Sequence, residues 1–199
     1  MPEKRIRETL IKEIDSQKDE KNLEFGFGMG QNLINLKTQK PSIQLFGLDI
    51  DPKVKAITEY KLSNQHLEVT LDLFNGGIFP YEDAQFDKVY SCLVFHQLDA
   101  ETKWFCLREI YRVLKPDGTL IIADWGKAQN LLMRFAFSFI QLLDGFKTTN
   151  NNVKGKLPDF IKEVGFKEIT ILQSINTLIG TFSYFKAKKN EKYMVAYLG

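Results

Sequence analysis

The residues with the clearest chemical potential stand in the first half of the chain. Glu24 lies in a short apolar run, Asn22-Leu23-Glu24-Phe25, and is followed by three alternating glycines, Gly26, Gly28 and Gly30. Alternating glycines admit backbone conformations closed to other residues and remove the Cβ atoms that would hold a ligand away. The helical pattern that follows offers unpaired N–H groups and a positive dipole end. A flat, nucleotide-like ligand can lie on such a loop, although a tight strand-to-helix turn with nothing bound uses the same glycines. Asp49 closes a second apolar run, Asp72 a third, and His96 follows a fourth. The separation of Glu24 and Asp49, 25 positions, is close to the roughly 20 residues at which doubly wound folds place an acid on ribose hydroxyls. For Asp51, before Pro52, the stronger reading is an N-cap of the helix Lys53 to Lys61.

The loop is not a pyrophosphate cradle. G-x-G-x-x-G fails in both registers, because counting from Gly26 ends at Gln31 and counting from Gly28 ends at Leu33. A nicotinamide oxidoreductase is thereby disfavoured. What remains is acidic-x-G-x-G-x-G, and Leu23 to Gln31 resembles the first motif of class I S-adenosylmethionine-dependent methyltransferases. Gly47-Leu48-Asp49-Ile50-Asp51-Pro52 is similar to the second motif of that family. Pro80 to Val89 looks like its P-F-x-D-x-x-F-D-x-V segment, and Leu107 to Leu120 is similar to R-E-x-x-R-V-L-K-P-G-G-x-L, with Asp117 in place of the first glycine. The resemblance covers about residues 20 to 188 and is nearest to the ubiquinone and menaquinone methyltransferases.

That resemblance implies S-adenosylmethionine as cofactor, S-adenosylhomocysteine as product, and a small, apolar methyl acceptor. It implies cofactor contacts from Glu24, Phe25, Gly26, Gly28, Gly30, Asp49, Ile50, Asp72, Leu73 and Ser91. Glu24 would attract the ammonium of the cofactor, directly or through water. Asp72 would accept from the adenine amino group and the Leu73 N–H would donate to the ring; the competing reading has Asp72 cap the turn into Asn75-Gly76-Gly77. Val94 to Leu98 resembles a segment that in small-molecule methyltransferases carries two adjacent histidines, of which only His96 is present. His96 is the candidate catalytic residue, orienting the acceptor or serving as base for an oxygen or acidic carbon, with plain packing as the alternative. Asp124 reads as structural at a strand end, and Cys92 as a small buried hydrophobe.

The elements that must position these residues follow from periodicity. Residues 1–20 form an amphipathic helix, with Ile6, Leu10, Ile11 and Ile14 on one face, and a polar connector; the helix is expected on the sheet edge. Relatives often close the cofactor site with an N-terminal Tyr, and here the first Tyr is Tyr60, so the expected lid is short, reorganised or missing. Ala100 to Leu114 reads as a helix whose core stripe is Trp104, Leu107, Tyr111 and Leu114, with Phe105 and Ile110 alongside. Further strands are expected at Ser42–Asp49, Leu67–Leu71, Lys88–Leu93 and Thr119–Ala123, and a closing pair at Phe166–Ile175 and Gly180–Lys188. Alternating β and α units with a closing antiparallel pair fit the fold that the resemblance implies: α/β and Rossmann-like, a seven-stranded mixed sheet of order 3-2-1-4-5-7-6 with the last strand antiparallel and helices on both faces. One domain spans residues 1–199: a cofactor half at 21–128, an apolar insertion or lid at 129–156, and a helix with the strand pair at 157–199.

Composition bounds the rest. A chain of 199 residues, 44% hydrophobic and 26% charged, suits one globular domain, and 16 Phe hint at an apolar cavity or interface. The formal charge of +2 comes from 27 basic and 25 acidic residues without a basic stripe, which argues against nucleic acid as main partner. Two cysteines carry no zinc spacing, so no metal is expected. With no leader-like stretch and no run of eighteen apolar residues, a cytoplasmic protein is expected. Gln129 to Phe146 is apolar enough for a lid, an oligomer contact or a membrane-surface contact. A protein or nucleic-acid methyltransferase is the alternative, though its amino-group version expects an Asn/Asp-Pro-Pro-aromatic motif where this chain has Ser91-Cys92-Leu93-Val94. A non-catalytic cofactor-binding protein is the other alternative.

Overall fold

Short β-rich runs alternate with amphipathic helices through most of the chain, and each run pairs in parallel with its neighbours until the final strand reverses. The computed structural model describes residues 3–125, 156–176 and 181–190. Helix α1 (Glu3–Ile14) leads to β1 (Lys21–Phe25), α2 (Gln31–Gln39), β2 (Gln44–Asp49), α3 (Pro52–Asn64), β3 (Thr70–Leu73) and β4 (Phe86–Cys92). A single 3-10 turn (Phe95–Gln97), α4 (Ala100–Val113), β5 (Leu114–Trp125), α5 (Leu157–Val164), β6 (Lys167–Asn176) and β7 (Thr181–Lys188) complete the described elements. The seven strands form one sheet in the order β3-β2-β1-β4-β5-β7-β6. Strands β1 to β5 are parallel where they pair, and β7 runs antiparallel to both β5 and β6. This is the expected mixed sheet.

Alternation along each strand sends successive side chains to opposite faces. One face carries Leu23, Phe25, Leu48, Val89, Leu120 and Ile122 under Cys106, Leu107, Ile110 and Val113 of α4 and Leu157 and Ile161 of α5. The other carries Leu45, Leu71, Tyr90, Ile121, Ala123, Phe182 and Tyr184 under α1, α2 and α3. Helix α1 therefore covers the sheet face over the central strands and does not sit on the edge. Ile6, Leu10, Ile11 and Ile14 are buried there, and the Tyr184 hydroxyl donates to the Ile6 carbonyl at 3.0 Å. Four such aliphatic side chains, each stabilised by about 1.5–3 kcal/mol on burial, fix the helix against the sheet.

Three local expectations are corrected. The core stripe of α4 is Lys103, Cys106, Leu107, Ile110 and Val113, and Trp104 is exposed beneath the Arg108 guanidinium. The aliphatic stem of Lys103 lies in the core and its ammonium donates to the Leu98 carbonyl at 2.6 Å, so a long cation takes the place expected for the indole. Strand β3 begins at Thr70, three residues later than expected, because the preceding residues leave α3: His66 adopts a left-handed φ of 53° and the Leu67 N–H closes on the Leu62 carbonyl. Pro116-Asp117-Gly118 is a bulge inside a longer β5, since pairing passes from Phe86 with Leu114 to Lys88 with Thr119. The lid expected at residues 129–156 lies outside the described residues except for Lys156. No helix among the described residues is long and apolar enough to cross a membrane.

Candidate functional site

The C-terminal ends of β1, β2 and β4 open into a cavity of about 500 Å³, within the range of small-molecule sites. Open parallel sheets bind ligands at this end, where the strand order reverses between β1 and β4. Phe25, Gly26, Phe27, Gly28 and Met29 form one wall, Asp49, Ile50 and Asp51 another, and Cys92, Leu93, Val94, Gln97 and Leu98 a third. Arg7 and Asn32 close one end.

The three glycines serve different ends. A Cβ on Gly26 would overlap the Val94 side chain, and one on Gly30 would overlap Thr58, so both are fixed by packing within the protein. Gly28, at φ +48°, has nothing within 4 Å of where its Cβ would stand, and that space belongs to the cavity. A side chain there would take the volume a ligand needs. The Gly28 N–H donates to Asp49 Oδ2 at 2.8 Å, while Asp49 Oδ1 accepts from the N–H groups of Ile50 at 2.7 Å and Asp51 at 3.1 Å. The second carboxylate of the sequence pattern is thus bonded to the glycine loop itself. Asp51 caps α3 by accepting from the Lys53 N–H at 2.8 Å.

Glu24 is elsewhere. It is fully buried beneath the loop, where Oε1 accepts from the Asn32 amide at 2.7 Å and Oε2 faces the Tyr90 hydroxyl at 3.4 Å. Desolvation pushes its pKa up to about 8, against the bonds from Asn32 and Tyr90 and the charge of Arg7. The Tyr90 hydroxyl is pushed up in turn by burial and by Glu24. Arg7 Nη1 donates to Asn32 Oδ1 at 2.9 Å, which links the cavity end to the buried carboxylate.

Phe25, Gly26, Gly28, Asp49 and Ile50 line the cavity; Glu24, Gly30, Asp72, Leu73, Ser91 and His96 do not. Ser91 is buried and donates to the Phe25 carbonyl at 2.8 Å, a bond between β4 and β1. Asp72 Oδ2 accepts from the Tyr81 hydroxyl at 3.0 Å, at the end of β3, and Leu73 is exposed beside it. Cys92 borders the cavity, but burial, with Glu24 and Asp124 nearby, pushes its thiol up to about 12, so it stays neutral and unreactive.

His96 follows the third wall. Its Nδ1 lies 2.8 Å from Asp124 Oδ1, and its backbone N–H donates to Asp124 Oδ2 at 3.1 Å. Asp124 is buried and also accepts from the Trp125 N–H at 2.7 Å. A bond from Nδ1–H to this carboxylate leaves Nε2 as the acceptor nitrogen. Arg7, Asn32 and Tyr90 were not singled out by pattern. Asn32 left a readable trace, a polar residue in the buried first turn of an apolar helix. Arg7 left none.

A family model described as a methyltransferase domain matches residues 23–122. A demethylmenaquinone methyltransferase of Lactobacillus johnsonii is 27% identical over 186 residues, covering 83% of this chain and 75% of that one. The chain spans less than half the length of some other relatives with that name, 42% and 46%. Among solved structures, the YcgJ protein of Bacillus subtilis superposes with a TM-score of 0.77 at 15% identity, over 94% of this chain and 99% of that one. Phosphoethanolamine N-methyltransferase 2 of Haemonchus contortus, solved with phosphomonomethylethanolamine and S-adenosylhomocysteine, gives 0.74 at 16% identity, over 93% and 53%. At such identities the structural likeness concerns the fold.

Proposed function

This chain belongs to the methyltransferase domain family and resembles its menaquinone members, and from that premise we propose that it transfers a methyl group from S-adenosylmethionine to a small, apolar acceptor. The observation that carries the reading is the closure of the Gly28 N–H on Asp49 beside the open space at the Gly28 Cβ position. A carboxylate held by three backbone N–H groups keeps its remaining lone pairs aimed along the loop, where the two hydroxyls of a ribose can donate to it. The apolar wall of Phe25, Phe74, Val94 and Leu98 suits a flat base, and the volume of about 500 Å³ accommodates an adenosyl amino acid.

The bound sulfonium supplies an already activated methyl group. The protein's own part is alignment and exclusion of water. Asp49, Ile50 and the loop from Phe25 to Gly28 hold the adenosyl portion. Glu24 acts from beneath, through Asn32, and Gly30 and Ser91 act on the backbone. The base is assigned to the side of Phe74, which lines the cavity and follows Asp72 and Leu73 in the chain. His96, kept by Asp124 with Nε2 as acceptor, removes a proton from an acceptor hydroxyl or acidic carbon. The relatives named as demethylmenaquinone methyltransferases support a quinol-like acceptor. We take the enzyme to work in the cytoplasm, where Cys92 and Cys106 remain unpaired thiols.

Calorimetry with S-adenosylmethionine and S-adenosylhomocysteine tests the cofactor, with micromolar binding expected and no binding of either fatal. A screen of apolar quinols, phenols and fatty acids, scored by release of S-adenosylhomocysteine, tests the acceptor. Turnover confined to peptides or nucleic acids would replace the small-molecule assignment.

A further inference from the structure

The amino-terminal helix supplies a residue that the cofactor motifs do not contain. Helix α1 lies across the sheet face with Ile6 and Leu10 buried, its end tied down by the Lys88 ammonium donating to the Asp15 carbonyl at 2.6 Å. Arg7 follows Ile6 on that helix and reaches the cavity. Among the described residues of the cavity wall it is the one basic side chain, and the acidic ones, Asp49 and Asp51, stand on β2 and the start of α3. The cavity is therefore polarised, with carboxylates at the β2 wall and a guanidinium at the end where α1 meets α2.

We infer that Arg7 binds the carboxylate of the cofactor's amino-acid portion, making α1 the closing element of the cofactor site. The inference rests on the cofactor reading above and adds an orientation to it. A ribose brings donors, which a carboxylate accepts, and so belongs at Asp49. An amino-acid carboxylate would be repelled there and is attracted to the opposite end. A guanidinium matches a carboxylate with paired N–H donors, and Asn32 Oδ1, 2.9 Å from Arg7 Nη1, holds that fork in place. Asn32 itself is fixed by Glu24 at 2.7 Å, so the guanidinium is placed before any ligand arrives. The chain needs no N-terminal tyrosine for this closure.

The test compares two ligands that share the adenosyl group and differ in the amino acid. S-adenosylhomocysteine carries the carboxylate and 5′-methylthioadenosine does not. By calorimetry, Arg7→Gln is expected to weaken S-adenosylhomocysteine at least tenfold and to leave 5′-methylthioadenosine within twofold, with Arg7→Lys in between. The methyl ester of S-adenosylhomocysteine should bind the unaltered protein at least tenfold more weakly than the acid, a comparison that holds even if Arg7→Gln fails to fold. Equal losses for both ligands, no loss for S-adenosylhomocysteine, or an ester that binds as tightly as the acid would each overturn the inference. If the unaltered protein binds neither adenosyl compound, the cofactor reading itself falls and this inference with it.

Discussion

The two sides of the cavity are built by different means. On the β1 and β2 side the chemistry is held by backbone: three N–H groups fix Asp49, two from the residues that follow it and one from Gly28 on the glycine loop. On the β4 and β5 side it is held by side chains, with His96 oriented by a buried aspartate 28 positions away. On the proposed reading, the backbone-built wall takes the cofactor, the ligand part common to such a family. A side-chain wall is free to vary with the acceptor, because changing a residue there leaves the loop intact.

The contrast can be broken first at its foundation. Glu24 is held protonated in the folded chain to about pH 8, whereas an unfolded chain releases that proton near the ordinary value of 4.5. The folded state binds the extra proton between those values, so Glu24's contribution to stability should be greatest below about 4.5, fall as pH rises to about 8, and level off above. The change amounts to at most about 5 kcal/mol, and Glu24→Gln should flatten it in denaturant titrations across that range. An equal slope in the variant would move the buried charge elsewhere.

The next largest effect is expected on the other wall. His96→Gln should lower kcat by about a hundred- to a thousandfold for an acceptor that must lose a proton, while S-adenosylhomocysteine affinity stays within twofold. Asp124→Asn should follow it in part, because the ring then loses the carboxylate that orients Nδ1. A matching loss of cofactor affinity would erase the distinction between the two walls. Gly28→Val should raise the S-adenosylhomocysteine dissociation constant about a hundredfold without unfolding the sheet, through strain at φ +48° and a side chain in the cavity. Retained affinity would place the ligand away from the loop. Asp49→Ala should cost about 1.5–3 kcal/mol of cofactor binding by loss of charge-assisted hydrogen bonds. An unchanged constant would put the ribose contact elsewhere.

The sequence by itself determined the alternation of strands and helices, the glycine loop, the carboxylate at Asp49 and the cap at Asp51, while the sheet order came from the family resemblance. These depend on hydrophobic period, on turn chemistry and on the residue types that end each strand, all of which are properties of short stretches. It did not determine the face of α4, because a lysine stem can occupy a core position as an indole can, and only the neighbours on the sheet choose between them. Nor did it yield the site's supports. Arg7 meets Asn32 across 25 positions, His96 meets Asp124 across 28, and Tyr90 meets Glu24 across 66. Each pair exists because helices and strands distant in the chain pack against the same sheet, and no local pattern carries the identity of a partner that only packing brings near.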